Sequence, residues 1–82
     1  MKSVRFTADA LRDLKRHGNM AARVRKALME YAADGIARSN NVTQLVGSTA
    51  RRMRVADFRV IFEETEDSLL VTRIGPRGGI YD

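Results

Sequence analysis

Between Arg51 and Glu64 the chain reads RRMRVADFRVIFEE, with polar and apolar positions alternating at period two. Met53 and Val55 alternate with Arg52 and Arg54. After Ala56-Asp57, Phe58, Val60 and Phe62 alternate with Arg59, Ile61 and Glu63. The pattern predicts a β-hairpin turning at Ala56-Asp57. A two-residue turn sets Val55 opposite Phe58, Arg54 opposite Arg59, Met53 opposite Val60 and Arg52 opposite Ile61, and opposed residues share a side of the sheet. One side then holds Met53, Val55, Phe58, Val60 and Phe62, which is a core. The other holds Arg52, Arg54 and Arg59 in a patch about 10 Å across. Ala-Asp is a weaker turn signal than Asn-Gly, so a longer loop with a shifted register is the alternative. Arg52 and Arg54 share a side in either case, being two apart on one strand.

The remaining pattern supplies a frame for this hairpin. Val4-Arg5-Phe6 is a short alternating segment and predicts a first strand. Thr7 is a suitable N-cap, and Asp9 suits the positive end of a helix that continues through Ala10, Leu11 and Leu14. His17-Gly18 is a glycine stop signal. Asn19 is placed to cap a second helix from Met20 to about Ala33, with Ala21, Val24, Ala27, Leu28, Tyr31 and Ala32 at three- and four-residue spacing. Asp34-Gly35 ends it, and the two helices form a helical hairpin. Ile36 to Gln44 reads as a polar connection. Glu63, Glu64, Glu66 and Asp67 read as an exposed acidic tip before a last strand from Leu69 to Ile74. For Arg73 to escape burial in that strand, Leu70, Thr72 and Ile74 must face the core and Arg73 must join Arg59 on the charged side. Gly75-Pro76 breaks the strand.

Composition narrows the function. Eighty-two residues with 44% hydrophobic content predict one packed domain spanning 1–82, marginally stable alone and receptive to a partner. Net charge is +5, and twelve of the 15 basic residues are arginine. Guanidinium binds oxyanions bidentately where ammonium is a point charge, so this bias points to phosphate and to nucleic acid before a membrane surface. Like charges opposed across a hairpin destabilise it. Folding alone gives little reason to gather Arg52, Arg54 and Arg59, whereas an anionic ligand does; a merely solvated face is the alternative. The absence of cysteine removes disulfides, thiolate nucleophiles and zinc knuckles. No apolar run approaches the length of a membrane span, and Met1-Lys2-Ser3 does not open a signal peptide, so a cytoplasmic location is expected.

The segment LVGSTARRMRVADFRVIF, from Leu45 to Phe62, and the ending IGPRGGIY, from Ile74 to Tyr81, resemble the core and closing motifs of the RelE/ParE superfamily of bacterial type II toxins. The resemblance covers essentially the whole chain and is specific in its C-terminal half. It implies an α+β fold of order β-α-α-β-β-β, a twisted and mainly antiparallel sheet backed by an N-terminal helical hairpin. It also implies a toxin neutralised by a cognate antitoxin protein, with operator DNA engaged only through the antitoxin complex. RelE-like members cleave mRNA on the ribosome, whereas ParE-like members inhibit DNA gyrase. Carried over by position, the family's catalytic residues fall on Arg52, Arg54, Arg59, Arg77 and Tyr81; the last two rest on the resemblance and on following the sheet's last strand.

Those residues suit RNA cleavage without a metal or other cofactor, in which the substrate's own 2′-OH attacks the neighbouring phosphorus. Arg52, Arg54, Arg59 and Arg77 would stabilise the charge that develops on the phosphorane. Arginine stays protonated and is a poor general base, so proton transfer falls to Tyr81, which could instead stack on a base. Well-known RelE toxins have lysine where this chain has Arg52 and Arg54. Lys15, Arg16, Arg51 and Arg73 are added as RNA-binding candidates, although Lys15 and Arg16 equally suit a solvated helix face. His17 is the single histidine, and it is expected to serve the helix terminus rather than catalysis.

Overall fold

The computed structural model describes residues 1–35, 41–44, 47 and 49–76. Its central feature is the hairpin of β3 (Ala50–Val55) and β4 (Phe58–Glu64). Val55 lies opposite Phe58, Arg54 opposite Arg59, Met53 opposite Val60 and Arg52 opposite Ile61, so the two-residue register expected from the alternation is the one adopted. Ala56 takes a φ of 53°, the left-handed conformation that a tight hairpin turn demands and that glycine or asparagine adopts more easily.

Around the hairpin run β1 (Ser3–Phe6), α1 (Ala8–Arg16), α2 (Gly18–Ala33), β2 (Val42–Gln44) and β5 (Ser68–Pro76). Among the described residues five strands form one sheet in the order β1-β5-β4-β3-β2. β1 pairs parallel with β5, and every other pair is antiparallel. The α+β architecture is thus the expected one, with an added edge strand: Val42–Gln44, read as polar connection, pairs with β3. Three residues are too short to register as a period, and their pairing depends on β3 being there to receive them.

Both helices cover one face of the sheet. Thr7 caps α1, its Oγ1 accepting from the Ala10 N–H at 3.1 Å. Met20, Val24, Ala27, Leu28, Tyr31 and Ala32 of α2 are buried, and with Ala10 and Leu14 they pack on Met53, Val55, Val60, Phe62, Leu69, Val71 and Ile74. The link between the helices is a single residue. His17 closes α1 and precedes α2, and Gly18 is already helical, not the left-handed stop expected of it.

Strand β5 departs from the expected alternation. A bulge opposite Ile61 and Phe62 pairs those neighbours with Arg73 and Val71, leaving Thr72 extra. The inward parity therefore switches within the strand. Leu69 and Val71 face the core before the bulge and Ile74 after it, while Leu70 is 37% exposed. Placing Leu70 inside was wrong because one inserted residue reverses every side chain on one side of it.

Two carboxylates fasten the helices and the segment before β1 to the sheet. Beyond Phe6, β1 no longer accompanies β5, and Asp13 of α1 takes its place. Its Oδ2 accepts from the Ile74 N–H at 2.8 Å and from Arg73 Nε at 3.0 Å. Among the described residues Asp13 is the buried charged side chain. Glu64 belongs to no exposed tip: its carboxylate meets Lys2 Nζ at 2.7 Å, the Tyr31 hydroxyl at 2.7 Å and Arg51 Nε at 3.2 Å. Burial opposes ionisation of both acids. Hydrogen bonds from Ile74 and Arg73, with the charges of Arg73 and Arg16, nevertheless hold Asp13 below its ordinary value. Lys2 and Tyr31 hydrogen bonds, with the Lys2 and Arg51 charges, do the same for Glu64.

Both carboxyls release protons more readily folded than unfolded, so their contribution is complete above the ordinary values of 3.8 and 4.5 and is lost as pH falls through the lowered ones. The denaturation midpoint is therefore expected to hold steady down to about pH 5 and to fall progressively as the pH drops below about 4.5. Asp13→Asn should be less stable at neutral pH and should lose less on acidification. An acid response identical to that of the unaltered protein would show that Asp13 does not contribute to it.

Candidate nucleic-acid interface

The face of the sheet away from the helices carries the arginines. Arg54 and Arg59 are directly opposed, and Arg52 lies two residues along β3 from Arg54. Thr43 of β2 is opposite Arg52 and so points to the same side. Arg52, Arg54, Arg59, Thr43 and Asn41 line one concavity of about 170 Å³. A second depression, of about 160 Å³, lies at the hairpin tip between Arg54, Ala56, Asp57, Phe58 and Arg59. Arg54 is exposed, while Arg52 and Arg59 are half-buried. Ile61 and Ala50 form a small buried cluster beside them: Ile61, opposite Arg52, is only 1% exposed. The arginines thus stand beside a buried apolar patch.

Several expected contributors lie elsewhere. Arg51 occupies the opposite parity on β3, on the helix side, and its Nε is held by Glu64. The register partner of Arg73 is Ile61, but its Nε reaches the edge of β5 to meet Asp13. Lys15 and Arg16 are exposed in the last turn of α1, within the helical layer. Arg77 and Tyr81 lie outside the described residues. The structure therefore gathers Arg52, Arg54 and Arg59, adds Asn41 and Thr43, and sets Arg51, Arg73, Lys15 and Arg16 apart from them. Only the fragment Asn41-Val42-Thr43-Gln44 hinted at the added pair, through one apolar residue between polar ones.

Two titratable side chains serve packing. The His17 ring meets Phe58 edge-on, with centroids 4.9 Å apart and planes at 80°. Phe58 is opposite Val55 on the helix side, so the imidazole sits behind the hairpin, not among the arginines. Burial pushes the Tyr31 phenol up to about 12, helped by its hydrogen bond to Glu64 and that carboxylate's charge, against the influence of Arg51. At neutral pH Tyr31 is a permanent hydrogen-bond donor. It packs edge-on against Phe62.

The sequence profile of the ParE toxin of type II toxin-antitoxin system, parDE, matches residues 4–81. The chain belongs to the RelE/ParE superfamily of type II toxins. Solved structures agree on the fold. The toxin of the DinJ-YafQ toxin-antitoxin complex from E. coli superposes with a TM-score of 0.78 at 16% identity, covering 99% of this chain and 98% of that one. The archaeal RelE-RelB complex from Pyrococcus horikoshii OT3 gives 0.76 at 19% identity, covering 96% and 98%. The RelB-RelE antitoxin-toxin complex from Methanococcus jannaschii gives 0.67 at 26% identity, covering 95% of each chain. No curated protein sequence matches.

Arg54 opposes a like charge and is exposed, so it opposes folding slightly. Arg54→Gln should leave the melting temperature unchanged or raise stability by about 0.2–1 kcal/mol. A fall of more than about 1 kcal/mol in the denaturation free energy would assign Arg54 a structural role instead.

Proposed function

We propose that this toxin is a ribosome-dependent mRNA endoribonuclease and that Arg52, Arg54 and Arg59 hold the scissile phosphate. The observation that carries the reading is the convergence of these three arginines on the helix-free face around one concavity. Three permanently charged donors on neighbouring strands suit a phosphorane, whose equatorial oxygens gain charge as the 2′-OH attacks. Preorganisation is supplied by the hairpin, which holds Arg54 and Arg59 against their mutual repulsion with the core on its other face. Arg77 would add a fourth donor, and Tyr81 would accept the 2′-OH proton or protonate the leaving 5′-oxygen.

The ribosome would present the mRNA strand, so the toxin acts in the cytoplasm. Among the described residues, no helix is long and apolar enough to cross a membrane. A cognate antitoxin would hold the toxin inactive, as the toxin-antitoxin complexes formed by its structural neighbours suggest. An acidic or amphipathic segment that folds on the toxin would bury a large area and raise its melting temperature by mass action. Operator DNA would be met only through that complex.

ParE-like inhibition of DNA gyrase is the second reading. It is favoured by the matched profile, which is that of the ParE toxin, and by arginine standing where RelE toxins have lysine. Two assays separate the readings. After induction, mapped mRNA 5′ ends should show new cuts within coding regions, and purified toxin in excess should leave gyrase supercoiling unchanged. Intact messages during growth arrest would overturn the nuclease reading, and blocked supercoiling would establish the alternative. Arg52→Ala should reduce cleavage by roughly 10²-fold, the usual effect of removing one preorganised donor.

The antitoxin makes a separate prediction. Co-expression with the protein encoded by the neighbouring open reading frame should yield a co-purifying complex and restore growth. Binding without restored growth would argue that the contact is not inhibitory.

A further inference from the structure

We infer that Asn41 and Thr43 form a nucleotide-reading subsite beside the arginines, through which the domain distinguishes the base or ribose of an unpaired RNA strand. The inference rests on the reading of the arginine face as an RNA site and adds a source of selectivity to it.

Position comes first. Thr43 is directly opposite Arg52 and on its side of the sheet. Asn41, two residues earlier, lines the same concavity of about 170 Å³ with Arg52, Arg54 and Arg59. From β2 across β3 to β4 is two strand spacings, about 10 Å. A single nucleotide laid across the strands, with its phosphate at Arg54 and Arg59, would bring its base or sugar to β2.

The chemistry of the two side chains does not match a phosphate. A phosphate only accepts hydrogen bonds, and three guanidiniums already supply donors in excess. The carboxamide of Asn41 and the hydroxyl of Thr43 each combine a donor with an acceptor. Their acceptor halves are of no use to an anion. They complement groups that also combine both functions, namely a base edge or a ribose 2′-OH. Base edges are free only where the strand is unpaired, and guanidinium planes offer surfaces on which such a base could stack.

The pair is also uncommitted among the described residues. Thr7, Thr49, Thr65 and Thr72 all make hydrogen bonds through their hydroxyls, to a helix N-terminus, to Glu63, to Ser68 and to the Ile61 carbonyl. Among the described residues, the hydroxyl of Thr43 and the carboxamide of Asn41 make none. Thr43 is exposed and Asn41 half-buried, so both reach solvent from the floor of the concavity. Thr43 stands on the edge strand and Asn41 immediately precedes it, where a side chain contributes least to packing.

The test is fluorescence anisotropy with labelled single-stranded oligonucleotides, one homopolymer for each base, as RNA and as DNA. The unaltered protein should prefer one base, or RNA over DNA, by on the order of tenfold, the discrimination of a good polar pair. Asn41→Ala and Thr43→Val should bring that ratio towards one, whereas Thr43→Ser, which keeps the hydroxyl, should retain it. A ratio between bases that depends on Asn41 assigns it to a base edge; a ratio between RNA and DNA that depends on Thr43 assigns its hydroxyl to the 2′-OH. Melting temperatures measured in parallel should match the unaltered protein, which separates lost selectivity from unfolding. Equal binding to every oligonucleotide by the unaltered protein, or an undiminished preference in both variants, overturns the subsite. Arg52→Ala and Arg54→Ala separate failure of the subsite from failure of the arginine face as an RNA site. If they weaken binding to all oligonucleotides while Asn41→Ala and Thr43→Val change no ratio, only the subsite fails. If they leave every affinity unchanged, the RNA reading of the arginine face fails with it.

Discussion

Everything else in this fold depends on the register of one hairpin. Val55 meets Phe58 across two turn residues, and that pairing sends Met53, Val55, Phe58, Val60 and Phe62 to the helices and Arg52, Arg54 and Arg59 to the opposite face. A slip of one residue would bury guanidiniums and expose the core, at a cost of several kcal/mol for each desolvated charge. The apolar face therefore holds the register, and the register holds the arginines together. Ala56 accepts a left-handed conformation to keep the turn at two residues. Repulsion between Arg54 and Arg59 is small beside the burial of Val60, Phe62 and Met53, which is why like charges can face one another in a stable sheet.

Charge is divided between the two sides. Glu64 lies on the helix side and Asp13 at the edge of β5, and both are ionised against the penalty of burial because Lys2, Arg51 and Arg73 reach them. These contacts join segments distant in sequence: Lys2, just before β1, and α2 to β4 through Glu64, and α1 to the end of β5 through Asp13. They also remove Arg51 and Arg73 from the arginine cluster. A count of basic residues along the chain overstates the binding surface for this reason. Cations next to each other in sequence, such as Arg51 and Arg52, serve opposite sides of the sheet.

The superfamily is established by a match over nearly the whole chain, and the fold by superposition on toxins of both bacterial and archaeal origin. A shared fold does not bring a shared activity with it. What separates a nuclease from a binder in such a scaffold is the chemistry of a few side chains on the open face. On this chain's open face the described residues include permanently charged donors with neutral polar neighbours.

The hairpin, the helical layer and the grouping of Arg52, Arg54 and Arg59 were legible in the sequence because each follows from a local period: two for strands, between three and four for helices. The Thr7 cap was legible for the same reason, since its hydrogen bond closes within one turn. The bulge in β5 was not, because an inserted residue is defined by the strand beside it, and so alternation alone puts Leu70 on the side opposite to the one it occupies. Strand β2 was too short to carry a period and forms because β3 offers it an edge; with it Asn41 and Thr43 come to the arginines. Glu64 and Asp13 look like surface acids in the sequence. Only the folded chain brings them Lys2 and Tyr31, or Ile74 and Arg73, from about sixty residues away in three of the four cases. Local periodicity decides which face a residue occupies, and tertiary proximity decides which charges on that face are already spoken for.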